Sequence, residues 1–233
     1  MRNNLMEKGL ATVDYIKKEN LSELVSRKIR RAILLGDFAN DLHLAEPNLA
    51  KEFGTSRGPI RDALQMLIHQ GFAERLSNGR VMVKRFTVKD IQHLYEFRYI
   101  LESHAVLKCA NYADISISIE RLYGILDKMS NNRITASEFS SLDMDFHKTI
   151  VIMSHNKSLI QSWYGMEEVI KSILEITNQG NPRAETIVEK HRDITKALEK
   201  KDFELATMLL KEHFNLGEEA MINNINKLMI ITE

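Results

Sequence analysis

Cysteine, proline and glycine are all scarce in this chain. One cysteine, Cys109, among 233 residues excludes an intrachain disulfide framework and suits a reducing compartment. Three prolines and ten glycines are few breakers for this length, which favours a mostly helical chain. No apolar run approaches the roughly 18 residues a membrane helix needs, so no span is expected. The first 20 residues have neither an apolar stretch nor a small-residue cleavage site, so no secretory signal is expected either. Net charge is absent: 32 Lys and Arg balance 32 Asp and Glu, which excludes a uniformly basic, histone-like binder. Apolar residues make up 44%, which argues against global disorder. The expectation is a soluble, cytoplasmic protein of one large domain or two small ones.

The zero net charge hides an asymmetry. Residues 21–86 hold 11 basic and 7 acidic side chains, whereas residues 87–233 hold 17 basic and 22 acidic ones. A mildly basic front is balanced by an acidic rear, and a basic module is what contact with phosphate requires. Residues 1–20 form a short N-terminal extension.

The front reads as three helices and a hairpin. Asn20 and Glu23 have capping-box spacing, and Leu21, Leu24, Val25, Ile29, Ala32 and Ile33 then recur at helical intervals up to Gly36. A second short helix starts near Glu46, with Pro47 in its first turn. Thr55 or Ser56 caps a third helix carrying Ile60, Ala63, Leu64, Leu67 and Ile68, which Gly71 closes. The brief interval between helices two and three is that of a helix-turn-helix corner. Beyond Gly71, Asn78-Gly79 stands between short alternating runs, a hairpin signal. Together these make a winged helix.

Its third helix carries the chemistry. Arg57 and Arg61 share one face, one turn apart. In a helix-turn-helix, the N-terminal residues of this helix reach base edges, and an arginine fork matches guanine O6 and N7. The Ser56 hydroxyl and the free N–H groups of the helix start suit a phosphate. Arg80, just past the hairpin tip, is placed for a minor groove or a phosphate. The plainer alternative is that both arginines only solvate a surface helix. Residues 28–86, with S-R-G-P-I-R-D-A-L at 56–64, resemble the winged-helix domain of the GntR family of bacterial transcription regulators. The resemblance implies that Ser56, Arg57 and Arg61 bind operator DNA and that Gly79 lies in a wing approaching the minor groove. The chain departs from the family at two places. Asn40-Asp41 replaces a usual Pro-Gly turn, and Pro47 replaces a polar or basic residue that often touches DNA.

The rear, residues 87–233, reads as an all-α antiparallel bundle of about six helices. Thr87 with Asp90 opens one helix to about residue 111, and runs follow near 115–130, 136–155, 157–178, 184–200 and 203–226. Thr135 with Glu138 caps the third and Asp202 the last. Residues 178–182 are the clearest break, and the two modules join near Phe86-Thr87 with little slack.

Three of the eight histidines lie on helix stripes that should face a core. His147 follows Asp143 by four residues on one face, His191 aligns with Ile187, Ile194 and Leu198, and His213 aligns with Leu209 and Leu216. Three imidazoles and a carboxylate from three helices suit one divalent ion, Zn²⁺, Mn²⁺ or Ni²⁺. Three separately satisfied core histidines are the other reading. Asp145 competes with Asp143 but, two residues from His147, projects from a different face of the helix. Trp163 and Tyr164 pack in the core or line a pocket.

The pieces F-R-Y-I-L-E at 97–102, D-M-D-F-H at 143–147, H-R-D-I-T-K-A-L at 191–198 and D-F-E-L-A-T-M-L-L-K-E-H at 202–213 resemble the FCD ligand-binding domain of one GntR subgroup. That resemblance implies one divalent metal on Asp143, His147, His191 and His213, with a small carboxylate effector upon it. Arg98 then either steers the anionic effector or only pairs with Glu102 at i,i+4. The expected function is a ligand-responsive regulator that binds palindromic operator DNA as a homodimer. A metalloenzyme on the same Asp/His set and a metal-responsive regulator are the rivals. No H-E-x-x-H base accompanies the histidines, which disfavours the enzyme.

Overall fold

The computed structural model describes residues 21–112, 114–131, 133–177 and 184–231. Asn20, the expected cap of the first helix, and the break at 178–182 lie outside them. The chain divides into two compact units, one running to Ile33 and from Phe38 to Arg85, the other taking Leu34–Asp37 and everything from Phe86.

The first unit contains α1 (Leu21–Leu35), α2 (Glu46–Glu52), α3 (Arg57–His69), β1 (Ala73–Arg75) and β2 (Val81–Val83). Its core is built from helical and alternating spacing together. Val25 and Ile29 of α1, and Ile60, Ala63, Leu64 and Leu67 of α3, are all buried, and Phe72, Val81 and Val83 close the same core. The hairpin pairs Ala73 with Val83 and Arg75 with Val81, which leaves residues 76–80 between the strands with Asn78-Gly79 among them, as expected. Gly79 N–H donates to the Leu76 carbonyl (2.9 Å) with Gly79 at φ +83°, a tight turn followed by a left-handed residue. A third extended segment escaped the sequence reading. Leu44 N–H donates to Val81 O (2.8 Å) and Val83 N–H to Leu42 O (2.9 Å), which adds residues 42–44 to the sheet edge. The departure at Asn40-Asp41 leaves a left-handed turn in place: Asp41 adopts φ +62°, a conformation Asp tolerates better than most residues. Asn40 Oδ1 accepts from Arg85 N–H (3.0 Å) and ties that turn down.

The second unit contains α4 (Val88–Cys109), α5 (Ser116–Met129), α6 (Ala136–Met153), α7 (Lys157–Thr177), α8 (Ala184–Glu199) and α9 (Phe203–Ile231). Helix α4 packs against α6, α7 and α9, α5 against α6 and α8, and α8 against α9. Capping fixes several helix starts. Thr87 with Asp90, and Thr135 with Glu138, form reciprocal capping boxes, Asn156 Oδ1 accepts from Ser158 N–H (3.0 Å), and Asp202 Oδ1 accepts from Leu205 N–H (3.0 Å). Thr135→Ala removes one of these caps and is expected to lower stability by about 1 kcal/mol. The check is a urea midpoint shift at unchanged slope. Cys109 is buried, its thiol donating to Ala105 O, and burial pushes that thiol up to about 11, the state of an inert small hydrophobe. Among the described residues, no helix is long and apolar enough to cross a membrane.

Candidate functional site

The corner between α2 and α3 spans residues 53–56, with Gly54 at φ +62°. Ser56 occupies the N-cap position of α3 but its side chain makes no capping bond, so the hydroxyl is not committed to its own helix. Ser56, Arg57 and Arg61 are exposed, as are Gly79 and Arg80 on the hairpin loop. The loop is braced from inside: Arg75 Nη1 donates to Gly79 O (3.3 Å), and Arg80 N–H donates to Asn78 Oδ1 (3.0 Å). Pro47 lies in the first turn of α2, where its missing N–H has no intrahelical partner to lose. An acidic residue stands beside these arginines. Glu46 holds Arg61 through both carboxylate oxygens, Nε to Oε1 at 3.3 Å and Nη2 to Oε2 at 3.1 Å.

In the second unit, the fold brings α6, α8 and α9 together so that Asp143, His147, His191 and His213 each point one donor atom at a common centre, all within 4.8 Å of one another. His147 Nε2 lies 3.1 Å from His213 Nε2, His191 Nε2 lies 3.3 Å from His213 Nε2, and Asp143 Oδ1 lies 3.6 Å from His191 Nε2. Around an ion with metal–nitrogen bonds of about 2.05 Å, neighbouring donors sit roughly 2.9 to 3.4 Å apart, depending on octahedral or tetrahedral geometry. The nitrogen spacings fall inside that interval. Asp145 is only partly buried and is not in the set.

Electrostatics sharpen the point. Burial holds all three imidazoles well below their usual range, with Arg98 adding to it at each and a neighbouring ring at His191 and His213, so they are neutral. Neutral imidazoles that face one another through Nε2 present lone pairs, and lone pairs at this separation repel unless a proton or a cation lies between them. A neutral ring protonated on Nε2 supplies one such proton and serves one neighbour at a time. A divalent cation satisfies every donor at once.

Sequence reasoning missed the residue that orients this set. Glu102 of α4 is fully buried and accepts twice: from Arg98 Nε on Oε1 (2.9 Å) and from His147 Nδ1 on Oε2 (2.6 Å). A carboxylate on Nδ1 fixes the tautomer that leaves the Nε2 lone pair free, the usual support of a metal-ligating histidine. Burial pushes Glu102 up to about 7 against the pull of Arg98, and pushes Asp143 up to about 6, again opposed by Arg98. A signal for Glu102 was present in the sequence. The buried stripe of α4 runs Ile91, Tyr95, Arg98, Glu102, Ala105, Cys109, and two opposite charges inside such a stripe must pair there.

Arg98 therefore does pair with Glu102, and it does more. Its guanidinium lies 4.7 Å from the Phe214 ring centroid and 5.7 Å from that of Trp163. Among the described residues, its buried Nη2 has no hydrogen-bond partner, and neither does the buried indole Nε1 of Trp163. The buried Nδ1 of His191 also lacks a partner, and orphaned donors in and beside a histidine cluster favour an acceptor-rich anion. Trp163 is core, whereas Tyr164 is half exposed with Lys148 over its ring, so the core role does not hold for Tyr164. The His213 stripe also differs from expectation. The buried line of α9 runs Ala206, Leu210, Phe214 and Met221, while Leu216 is exposed, which puts His213 at the edge of the core face. The other histidines, His43, His69, His93, His104 and His155, are exposed.

Comparison with known proteins agrees with this division. Residues 21–83 match the family of bacterial regulatory proteins named gntR, and residues 93–216 match the FCD domain. An uncharacterised HTH-type transcriptional regulator of Bacillus subtilis, YdhC, is 30% identical over 81% of this chain and 85% of its own length. The gluconate operon transcriptional repressor of Bacillus licheniformis is 26% identical over 86% of this chain and 85% of its own. Among solved structures, Lar, which controls expression of the Listeria monocytogenes agr system, superposes with a TM-score of 0.68 at 20% identity, covering 89% of this chain and 99% of that one, a likeness of fold.

Proposed function

This chain belongs to the GntR family of bacterial regulatory proteins, in the group with an FCD domain, and from that premise we propose that its DNA binding answers to a small carboxylate effector at a divalent-metal centre. It is a DNA-binding transcription regulator and not an enzyme. The observation that carries the proposal is the convergence of three neutral Nε2 atoms, two of them on fully buried rings, beside Asp143. Asp143, His147, His191 and His213 would hold the ion, and a bound divalent ion of this kind, Zn²⁺, Mn²⁺ or Ni²⁺, supplies an electrophilic centre for a carboxylate oxygen. The chain's own residues do the remaining work. Glu102 orients His147, Arg98 Nη2 and Trp163 Nε1 offer donors to the anion, and the surrounding aromatic rings exclude water. Helix α4, which carries Arg98 and Glu102, starts five residues after β2 in sequence, a short tether through which a change in helix packing reaches the winged helix. Ser56 and the α3 N-terminus take phosphate, Arg57 and Arg61 read bases, and Gly79 and Arg80 follow the adjacent groove. Two chains, paired through the helical unit, serve the two halves of a palindromic site in the cytoplasm.

The test uses full-length protein and the duplex that it selects from a random-sequence pool. Arg57→Ala and Arg61→Ala should each weaken binding by about 1–3 kcal/mol at fixed salt. Titration should saturate at two chains per duplex. Small carboxylates should shift the affinity of zinc-loaded protein and leave chelator-stripped protein unmoved. Wild-type affinity in both arginine variants defeats the DNA assignment, and a carboxylate response that survives stripping defeats the metal-centred one.

A further inference from the structure

Glu46 is an acid in the wrong place for a protein that binds polyanions. It stands at the start of α2 beside the exposed face of α3, and the charges of Arg61, Arg75 and Arg57 all act upon it. Coulomb's law alone makes such a carboxylate unfavourable near phosphate. Its geometry gives it another use. Both oxygens are spent on one arginine, and they take the side of the guanidinium formed by Nε and Nη2. A guanidinium has five N–H groups. With the side pair engaged, the second Nη2 hydrogen and the Nη1 hydrogens remain, and these form the end-on fork whose two parallel donors match guanine O6 and N7.

We infer that Glu46 is a specificity-determining positioning residue, which clasps the side of Arg61 and presents its end-on fork to a guanine in the major groove. The inference rests on the reading of Arg61 as a base contact. Arg61 is a long, exposed side chain with many rotamers, and holding one rotamer before binding removes an ordering cost that DNA would otherwise bear. Arg61 draws the carboxyl of Glu46 below the ordinary glutamate range, so the clasp is charged at any physiological pH.

The positioning role and a plain charge effect predict opposite signs. The experiment measures full-length wild type, Glu46→Gln, Arg61→Ala and the double variant on the selected duplex, on its single-base substitutions and on a scrambled duplex, at one salt concentration. Positioning predicts that Glu46→Gln binds the selected duplex about three- to tenfold more weakly while binding the scrambled duplex as well as wild type or better. The penalty for replacing the guanine read by Arg61 should shrink in Glu46→Gln, and in the Arg61→Ala background the Glu46 change should have no effect on discrimination. Glu46→Asp, too short to reach with both oxygens, should behave like Glu46→Gln. A gain of affinity for both duplexes alike in Glu46→Gln overturns the inference, because it reports charge removal only. Unchanged base discrimination in Arg61→Ala overturns its premise instead, and the two failures are told apart by which single variant retains the wild-type profile.

Discussion

Glu102→Ala is expected to be the most damaging single substitution in the helical unit. It removes the partner of two buried groups, the Arg98 guanidinium and the His147 ring. Leaving one member of a buried ion pair uncompensated is destabilising by about 3–5 kcal/mol. The same change frees His147 to rotate and to adopt the wrong tautomer, and loss of such an outer partner lowers metal affinity about 10–100-fold. Glu102→Gln keeps the shape and one acceptor, so it should lie between wild type and alanine in both respects and stay folded if the alanine variant does not. Urea denaturation gives the first quantity and zinc titration against a competing chelator the second. Wild-type stability and wild-type zinc affinity in both variants would show that the Glu102 bridge is incidental.

His191→Ala and His213→Ala should each abolish stoichiometric metal binding, since a direct ligand outweighs the roughly 10–100-fold effect of an outer one. A folded state that binds zinc gains about 2.7 kcal/mol at a zinc concentration 100 times Kd. For a helical unit of this size that is roughly 5–10 °C in Tm, and both variants should lose this zinc-dependent rise. Protons compete with the ion for Asp143, whose carboxyl titrates at about 6 in the metal-free cage, and for the three imidazoles. Zinc affinity therefore falls as pH falls through about 7, where Glu102 takes a proton, and further through about 6, and is full above that range. Elemental analysis, melting with and without zinc, and operator affinity with carboxylates form one set of measurements. Two folded variants that keep zinc and still respond to carboxylates would remove the metal from the switch, while the DNA-binding assignment would stand.

Much of the fold was legible because its signals are local. The capping pairs Thr87/Asp90 and Thr135/Glu138 depend on residues three apart, and the glycines that close α1 and α3 depend on a single backbone position. The details that sequence reasoning missed were of another kind. The added pairing of residues 42–44 with β2 joins segments far apart in the chain, and no local pattern announces it.

The candidate site divides along the same line. Sequence by itself determined the donor types: Asp143 and His147 four apart on one helix, a histidine on each of two later helices, and two arginines one turn apart after a helix-turn-helix corner. Helical periodicity fixes which side chains share a face, and chemistry fixes what they can bind. Only the tertiary structure decided which donors meet. It set three Nε2 atoms about one centre beside Asp143, seated Glu102 behind His147 across 45 positions of sequence, and laid Glu46 against Arg61 across 15. Those pairings are set by how helices pack, and packing is a property of the whole core that no window of neighbouring residues contains.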